Sequence, residues 1–184
     1  LVRSRGLGDV YKRQNYDLTK IRAIAFDVDG VLSPSTIPLG ELGVPSRMVN
    51  IKDGYALQLA VKHGYIISII TGADSEAVRT RFAALGIKDI YMKAGVKITI
   101  LKEWMDRHNL SPEEVAFAGD DIPDYEPMCH VGLPVAPADA APEIKNIAKY
   151  ISPVNGGYGV ARDLLEEIMK AQDNWMSSAK AFGW

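Results

Sequence analysis

Cysteine, histidine and long apolar runs are all scarce in this chain of 184 residues, and each scarcity excludes a class of protein. The single cysteine, Cys129, excludes an internal disulfide framework and is typical of a reducing compartment, so we expect a cytoplasmic protein. The three histidines, His63, His108 and His130, have no metal-ligand spacing with one another, and we interpret them as structural or surface residues. No run approaches the roughly 18 apolar residues that a membrane span needs, so we expect no membrane insertion.

Residues 1–14 are expected to be foreign to the native domain. The stretch 4–14 resembles the in-frame translation of a transposase adaptor, and its arginines and glycines without an apolar run do not fit a signal peptide. The alternative is a basic arm that binds nucleic acid. Residues 1–14 hold four basic residues and one acidic residue, so the rest of the chain has a formal net charge of −5 rather than −2. An acidic domain does not favour nucleic acid, and its substrate should be a small anion held by a few cations.

Short apolar runs alternate with segments of helical period from residue 21 onwards. This alternation predicts an α/β domain over residues 15–172, with a doubly wound, Rossmann-like parallel sheet and right-handed crossovers. The predicted strands are 21–26, 65–70, 89–92, 115–118, 133–135 and 150–151. The predicted helices include 55–63, one from 74 or 75 to 86, 96–108, 142–148 and 160–171.

Two segments fall outside this alternation. Residues 31–50 contain three prolines and two glycines and are predicted to form a small hairpin or flap. Residues 173–184 form an aromatic C-terminal tail without a clear helical period, which could help to close a site or be a disordered end.

Polar residues come directly after three of the predicted strands. Asp27, Thr71 and Asp120 each follow an apolar run. Ligands of open α/β sheets bind beyond the carboxyl ends of the strands. The pattern therefore predicts one site at that edge of the sheet.

The pair Asp27 and Asp29 has a spacing that suits hydrolysis of a phosphate ester. Two carboxylates two residues apart share a face of an extended segment, and a turn at Gly30 would bring both around one phosphate. Asp27 would attack phosphorus to form an aspartyl-phosphate, while Asp29 would protonate the leaving oxygen and then activate water. Mg²⁺ would offset the charge repulsion, with the carboxylates of Asp27 and Asp120 and the backbone carbonyl of Asp29 as ligands.

Further residues are expected to hold the phosphoryl group. Thr71 and Gly72 offer a hydroxyl and unhindered N–H groups, and Lys97 at the start of a helix offers a compact positive charge. Asp124 lies four residues after Asp120 and would orient Lys97, with Asp121 as a supporting residue between them.

Each of these motifs alone has a plainer explanation. The segment 27–30 could be a solvated turn or part of a calcium loop, although the twelfth position of an EF-hand would be Pro38, which has no carboxylate. The Thr71-Gly72 pair could be an ordinary strand-to-helix turn, and Lys97 could be a solvated surface lysine. Their joint order after successive strands favours a catalytic site.

The same segments resemble the four motifs of the haloacid dehalogenase superfamily: 26–32, 70–72, Lys97 and 119–124. More closely, residues 15–171 resemble the 3-deoxy-D-manno-octulosonate 8-phosphate phosphatase family, through segments 49–55, 81–87 and 156–159. The resemblance implies a Mg²⁺-dependent phosphatase that serves lipopolysaccharide synthesis. It also implies a homotetramer in which the flap and a neighbouring chain close the site.

The spacing of the motifs independently indicates a capless member of the superfamily. Asp27 and Thr71 are separated by 43 residues, Thr71 and Lys97 by 25, and Lys97 and Asp120 by 22. These intervals hold the core elements and one flap but leave no room for an inserted cap domain.

Carried over residue by residue, the resemblance implies a substrate site beyond the four motifs. A sugar acid has a carboxylate as well as a phosphate, so more than one cation is chemically sensible. The substrate-binding residues implied are Asn50, Lys52, Asp53, Gly54, Gly72, Arg81 and Lys97.

Two positions depart from the family pattern. Ala73 stands where an arginine usually follows Thr71-Gly72, and Gln58 stands at a second family arginine. Because two guanidinium groups are lost, recognition of a carboxylate is weakened and the sugar is left open. The alternatives are a nine-carbon keto-sugar acid phosphate, a broader range of sugar phosphates, or, from another class, a noncatalytic tetramerisation domain.

Overall fold

The computed structural model describes residues 16–39, 43 and 45–183. The segment predicted to be foreign, residues 1–14, therefore lies outside the described residues, as does most of the tip of the predicted flap.

Six parallel strands form one sheet in the order β3-β2-β1-β4-β5-β6. The strand order reverses at β1, so the neighbours of β1 are β2 and β4, and β1 occupies the middle of the sheet. This arrangement confirms the predicted doubly wound, Rossmann-like fold. The strands are β1 (Ala23–Phe26), β2 (Ile66–Ile70), β3 (Asp89–Tyr91), β4 (Val115–Ala118), β5 (Leu133–Ala136) and β6 (Tyr150–Ile151).

Helices cover both faces of the sheet, which explains why β1, β4 and β5 are apolar and buried along their whole length. One apolar core lies between the sheet and α1, α2 and α6, and the other lies between the sheet and α3, α4 and α5. Successive β1 residues alternate between the two cores, Ile24 in the first and Ala25 in the second. The helices are α1 (Ile51–Lys62), α2 (Glu76–Ala83), α3 (Lys97–Arg107), α4 (Tyr125–His130), α5 (Pro142–Ile147) and α6 (Val160–Ala171).

Helix α1 begins four residues before its predicted start, because Asn50 is its N-cap. The Asn50 Oδ1 atom accepts hydrogen bonds from the N–H groups of Lys52 at 2.8 Å and Asp53 at 3.4 Å. Gly54 lies inside this first turn, where a glycine costs about 1 kcal/mol relative to alanine. A Cβ atom at Gly54 would lie 2.5 Å from the Nη2 atom of Arg81, so the glycine leaves room for that side chain.

Helix α2 begins as predicted and ends early. The Ser75 Oγ atom accepts a hydrogen bond from the Val78 N–H, which confirms Ser75 as one of the two proposed caps. The helix ends at Ala83, and the predicted end at Gly86 is wrong by three residues. Gly86 instead has a positive φ of 89° in the turn that leads towards β3.

The flap and the tail are small additions to this domain. Leu39 and Pro45 form an isolated antiparallel bridge within the predicted flap. In the tail, a 3₁₀ helix spans Ala179–Phe182, and the Tyr55 hydroxyl on α1 donates a 2.5 Å hydrogen bond to the Ala181 carbonyl. The described part of the tail therefore packs on α1.

No helix among the described residues is long and apolar enough to cross a membrane.

Candidate active site

The loop after β1 forms a tight turn that begins at Val28. Asp27 keeps the sheet register, since its N–H donates to the Ala118 carbonyl on β4 at 3.0 Å. The Val28 carbonyl accepts hydrogen bonds from the N–H groups of Leu32 at 2.9 Å and Ser33 at 2.8 Å, which closes the turn. The Asp27 side chain is thereby fixed at the carboxyl end of the central strand.

Lys97 joins two buried carboxylates at this edge. Its Nζ atom lies 2.8 Å from Asp27 Oδ2 and 2.7 Å from Asp124 Oδ1, and all three side chains are less than a tenth exposed. Asp124 Oδ2 also accepts a 3.0 Å hydrogen bond from the Asp120 N–H. A lysine at the first position of a helix opposes the helix dipole, so we attribute its placement to the carboxylates rather than to α3.

The site has more negative charge than its own cation can balance. Burial, reinforced by the Asp124 carboxylate, raises the pKa of Asp27 to about 7 in spite of Lys97. Burial and the carboxylates of Asp27 and Asp124 likewise raise the pKa of Asp120 to about 7. Burial works against the charge of Lys97, but its two carboxylate partners outweigh that cost and raise its pKa.

These carboxylates have the chemistry of a site for a divalent cation. Asp27, Asp120 and Asp124 each offer one oxygen within 4.8 Å of the others. Asp124 accepts hydrogen bonds from Lys97 and the Asp120 N–H at its two oxygens, and Asp27 contacts Lys97 and the Val28 N–H in the same way. The Asp120 carboxylate has no such bond among the described residues, which leaves both of its oxygens open to a cation. The Asp120 carboxylate packs against Gly30, where a Cβ atom would lie 1.9 Å from Oδ2, so only glycine fits there.

A cavity of about 480 Å³ opens over this cluster. Its walls bring together all the residues that the four motifs predicted, from the loops after β1, β2 and β4 and from the start of α3. The Thr71 hydroxyl accepts a 3.2 Å hydrogen bond from the Ala73 N–H, so its own hydrogen is free to donate. The predicted residues that line the cavity are Asp27, Asp29, Thr71, Gly72, Lys97, Asp120, Asp121 and Asp124.

Asp29 has a partner that the sequence analysis missed. Arg47, in the flap, donates from Nε to Asp29 Oδ1 at 2.6 Å and from Nη2 to Asp29 Oδ2 at 2.8 Å. The hydrogen bond to Asp29 raises the pKa of Arg47 above its ordinary value. Arg47 is the single basic residue between positions 31 and 50, but no motif or period in the sequence pairs it with Asp29.

The substrate residues that the resemblance implied around the start of α1 lie outside this cavity. The Asn50 side chain caps α1, and Lys52 is exposed. Gly54 lies against Arg81, and Arg81 lines a second cavity of about 460 Å³ together with Arg47.

Asp53 contacts helix α6 and does not line the first cavity. Its Oδ1 atom accepts a 2.6 Å hydrogen bond from the Arg162 N–H in the first turn of α6. Gly159 precedes that helix and has no side chain with which to cap it, so Asp53 caps it from α1. Burial raises the pKa of Asp53 to about 6.

Comparisons with known proteins agree with this geometry. A family model described as haloacid dehalogenase-like hydrolase matches residues 66–164. The 3-deoxy-D-manno-octulosonate 8-phosphate phosphatase KdsC of Escherichia coli K12 is 36% identical over 152 residues, which are 83% of this chain and 81% of that protein.

Solved structures agree as well. The 3-deoxy-D-manno-octulosonate 8-phosphate phosphatase of Yersinia pestis has a TM-score of 0.83 at 34% identity, covering 86% of this chain and 85% of that one. The enzyme of the same name from Moraxella catarrhalis was solved in complex with magnesium, phosphate and KDO. It has a TM-score of 0.85 at 30% identity, and the match covers 91% of this chain and 96% of that one.

The sheet, the loop after β1 and the family match together define a haloacid dehalogenase-like hydrolase. The relatives assign the chain to one family within this class, because they match more than four fifths of the chain with about one third of the residues identical. The chain belongs to the 3-deoxy-D-manno-octulosonate 8-phosphate phosphatase family, and the resemblance drawn from its motifs is confirmed.

Proposed function

We propose that the chain hydrolyses 3-deoxy-D-manno-octulosonate 8-phosphate to the free sugar acid and phosphate. The observation that carries the proposal is the buried Asp27–Lys97–Asp124 cluster beside Asp120, at the end of the central strand and open to a cavity. Relatives that share the fold and most of the chain length have this activity in their names. The reaction would supply the sugar acid for lipopolysaccharide.

In this proposal Asp27 is the nucleophile. One of its carboxylate oxygens bonds to phosphorus as the bond from phosphorus to the sugar oxygen breaks. Asp29 takes up a proton when it leaves its ion pair with Arg47, and it donates that proton to the departing oxygen. Asp29 then takes a proton from water, whose oxygen attacks phosphorus and releases phosphate and Asp27. The contacts of Asp27 with Lys97 and with the Val28 N–H hold its carboxylate at the cavity floor.

Asp27, Asp120 and the backbone carbonyl of Asp29 would hold Mg²⁺, which fits a cluster with surplus negative charge. When bound, Mg²⁺ offsets the repulsion between the carboxylates and the phosphate and stabilises the charge on the phosphoryl oxygens. Thr71 donates its free hydroxyl hydrogen to a phosphoryl oxygen, and Gly72 leaves its backbone open to the same group. Lys97 contributes its positive charge to the same group.

We also propose that the native domain spans residues 15–172, acts in the cytoplasm as a homotetramer, and uses residues 31–50 and a neighbouring chain to close the site. The support is the open cavity above Asp27 and the absence of a separate cap domain among the described residues. A monomeric mass in solution at micromolar concentration would contradict the tetramer.

The test is release of phosphate in the presence of Mg²⁺ from a panel of sugar-acid phosphates and simple sugar phosphates. We expect the eight-carbon sugar acid to be the preferred substrate, and we expect Asp27→Asn to lose roughly 10³-fold or more in kcat. Asp106→Asn, an exposed aspartate on α3, is the matched control and should retain full activity.

Equal turnover by Asp27→Asn and the wild type, or no turnover by the wild type, would contradict the enzyme assignment. Preference for a nine-carbon acid, or similar rates on simple sugars, would contradict the proposed substrate while leaving the reaction in place. Ala73 and Gln58 make this panel necessary, because they replace family arginines.

A further inference from the structure

A second cavity, of about 460 Å³, lies beside the active site and contains two guanidinium groups. Arg47 and Arg81 both line it, whereas Asp29, the ion-pair partner of Arg47, lines the first cavity. The Arg47–Asp29 ion pair therefore lies between the two cavities.

The side chain of Arg47 is enclosed, although the residue as a whole is only half-buried, and its hydrogen-bonding capacity is only partly used. Its side chain is 6% exposed, and its Nε and Nη2 atoms donate to Asp29. The Nη1 atom is enclosed and has no hydrogen-bond partner among the described residues. A buried donor on a charged group is costly to leave unpaired, so the Nη1 group retains an unused capacity to donate a hydrogen bond.

The acidic residues of the second cavity do not cancel its positive charge. Asp74 lies 2.8 Å from the Lys93 Nζ atom, and Glu76 lies 3.8 Å from the Arg79 Nε atom, so each has a cation of its own. No carboxylate other than Asp29 contacts Arg47 in the part of the chain that the structure describes. Arg81 has no ion pair among the described residues, so its guanidinium remains available to an anion in this cavity.

The proposed substrate has such an anion at the end opposite its phosphate. Ala73 lines the first cavity, where it offers no charge, and Gln58 lies on α1 as a neutral side chain. A guanidinium from another part of the chain would compensate for these two positions. The planar guanidinium of Arg47 can pair with a carboxylate through two N–H groups, and its Nη1 atom has no partner among the described residues.

We propose that Arg47 is a specificity-determining residue that binds, with Arg81, the carboxylate of the sugar-acid substrate in the second cavity. The inference rests on the proposed function, since it assumes a phosphate in the first cavity. Because Nη1 is enclosed, the Arg47 guanidinium must turn toward the second cavity when the carboxylate binds, and this turn loosens its two-bond contact with Asp29. The flap thereby selects for a substrate with a charge at both ends.

The kinetic test compares Arg47→Met and Arg47→Lys with Arg22→Met, a control that removes an exposed arginine paired with Glu114. Each variant is assayed with the sugar-acid phosphate and with a sugar phosphate without a carboxylate, such as arabinose 5-phosphate. For Arg47→Met we expect KM for the sugar acid to rise roughly 10- to 100-fold, as for loss of a charged hydrogen-bond partner. KM for the neutral sugar should change less than about threefold, with Arg47→Lys intermediate on the sugar acid.

An equal loss on both substrates, confined to kcat, would overturn the proposal and assign Arg47 to positioning of Asp29 alone. A second measurement does not depend on turnover: calorimetric binding of the free sugar acid and of orthophosphate to each folded variant. We expect Arg47→Met to lose at least tenfold in affinity for the sugar acid and to lose clearly less in affinity for orthophosphate, which has no carboxylate. Unchanged affinity for the sugar acid would overturn the proposal even in an active enzyme. If the wild type hydrolyses none of the phosphates, the proposed function itself is wrong, and this outcome is distinct from those above.

Discussion

Lys97 is the residue on which both the stability and the chemistry of the site depend. It is the single cation in contact with Asp27 and Asp124 among the described residues, and all three are buried. Removing one member of such a cluster leaves charge uncompensated, and this costs more than the original ion pair contributed. Stability and activity should therefore fall together when Lys97 is replaced.

We expect Lys97→Met to lower the free energy of unfolding by roughly 3 kcal/mol at pH 7.5 without metal. Activity with Mg²⁺ should fall roughly 100- to 1000-fold, because a positive charge beside the phosphoryl group is lost. Urea denaturation and phosphate release measure the two effects. Lys102→Met, on the exposed face of α3, is the control and should change neither. Activity within tenfold of wild type would show that Lys97 is structural only.

At the scale of secondary-structure elements, the sequence predicted the features that are encoded within a short stretch of the chain. The apolar runs of β1, β2 and β4 gave the strands, and Asp27 and Asp120 directly after them gave the site, because in parallel sheets such positions converge. The start of α1 was missed because the Asn50 cap precedes a glycine, which weakens a helical pattern.

Contacts between distant segments had no such signal. The Arg47–Asp29 ion pair spans 18 residues and the Asp53 contact with α6 spans 109, and neither follows from any period or motif. The role at the substrate that the resemblance implies for Asp53 stays a prediction, and it gave no indication that Asp53 also caps α6. The cap joins α1 to α6 across the first apolar core.

The link between α1 and α6 should make stability depend on pH through Asp53. Its folded-state pKa of about 6 is above the ordinary 3.8, so its contribution to stability is complete below pH 3.8 and lost as pH rises through 6. Asp53→Asn keeps an oxygen for the Arg162 N–H but never ionises. We expect its free energy of unfolding, relative to wild type, to rise by roughly 2 kcal/mol between pH 4 and pH 7.

Denaturation curves of the wild type and Asp53→Asn, measured across that range without metal, give this difference directly. Titration of the active-site carboxylates occurs in both proteins and cancels. The surface variant Asp106→Asn should follow the wild type at every pH. A constant difference between Asp53→Asn and wild type would exclude a raised pKa at Asp53.

At the scale of the whole molecule, metal, protons and folding are coupled through the same carboxylates. Asp27 and Asp120 both have a pKa raised to about 7, chiefly by burial. Without metal, their contribution to stability is complete below pH 3.8 and is lost as pH rises through 7. A divalent cation reverses this trend, because it binds the ionised forms and only the folded chain assembles them.

We therefore expect Mg²⁺ affinity to rise between pH 6 and pH 8, by up to about tenfold per pH unit for each proton released. Calorimetry in buffers of different ionisation enthalpy measures both the affinity and the protons released. Thermal unfolding with and without Mg²⁺ should show a metal-dependent rise in Tm that is larger at pH 8 than at pH 6. Asp27→Asn lacks one of the titrating ligands, so its affinity should be lower and should depend less steeply on pH. A wild-type affinity that is constant from pH 6 to pH 8 would mean that Asp27 and Asp120 are already ionised without the metal, and that the surplus negative charge is balanced by some other group.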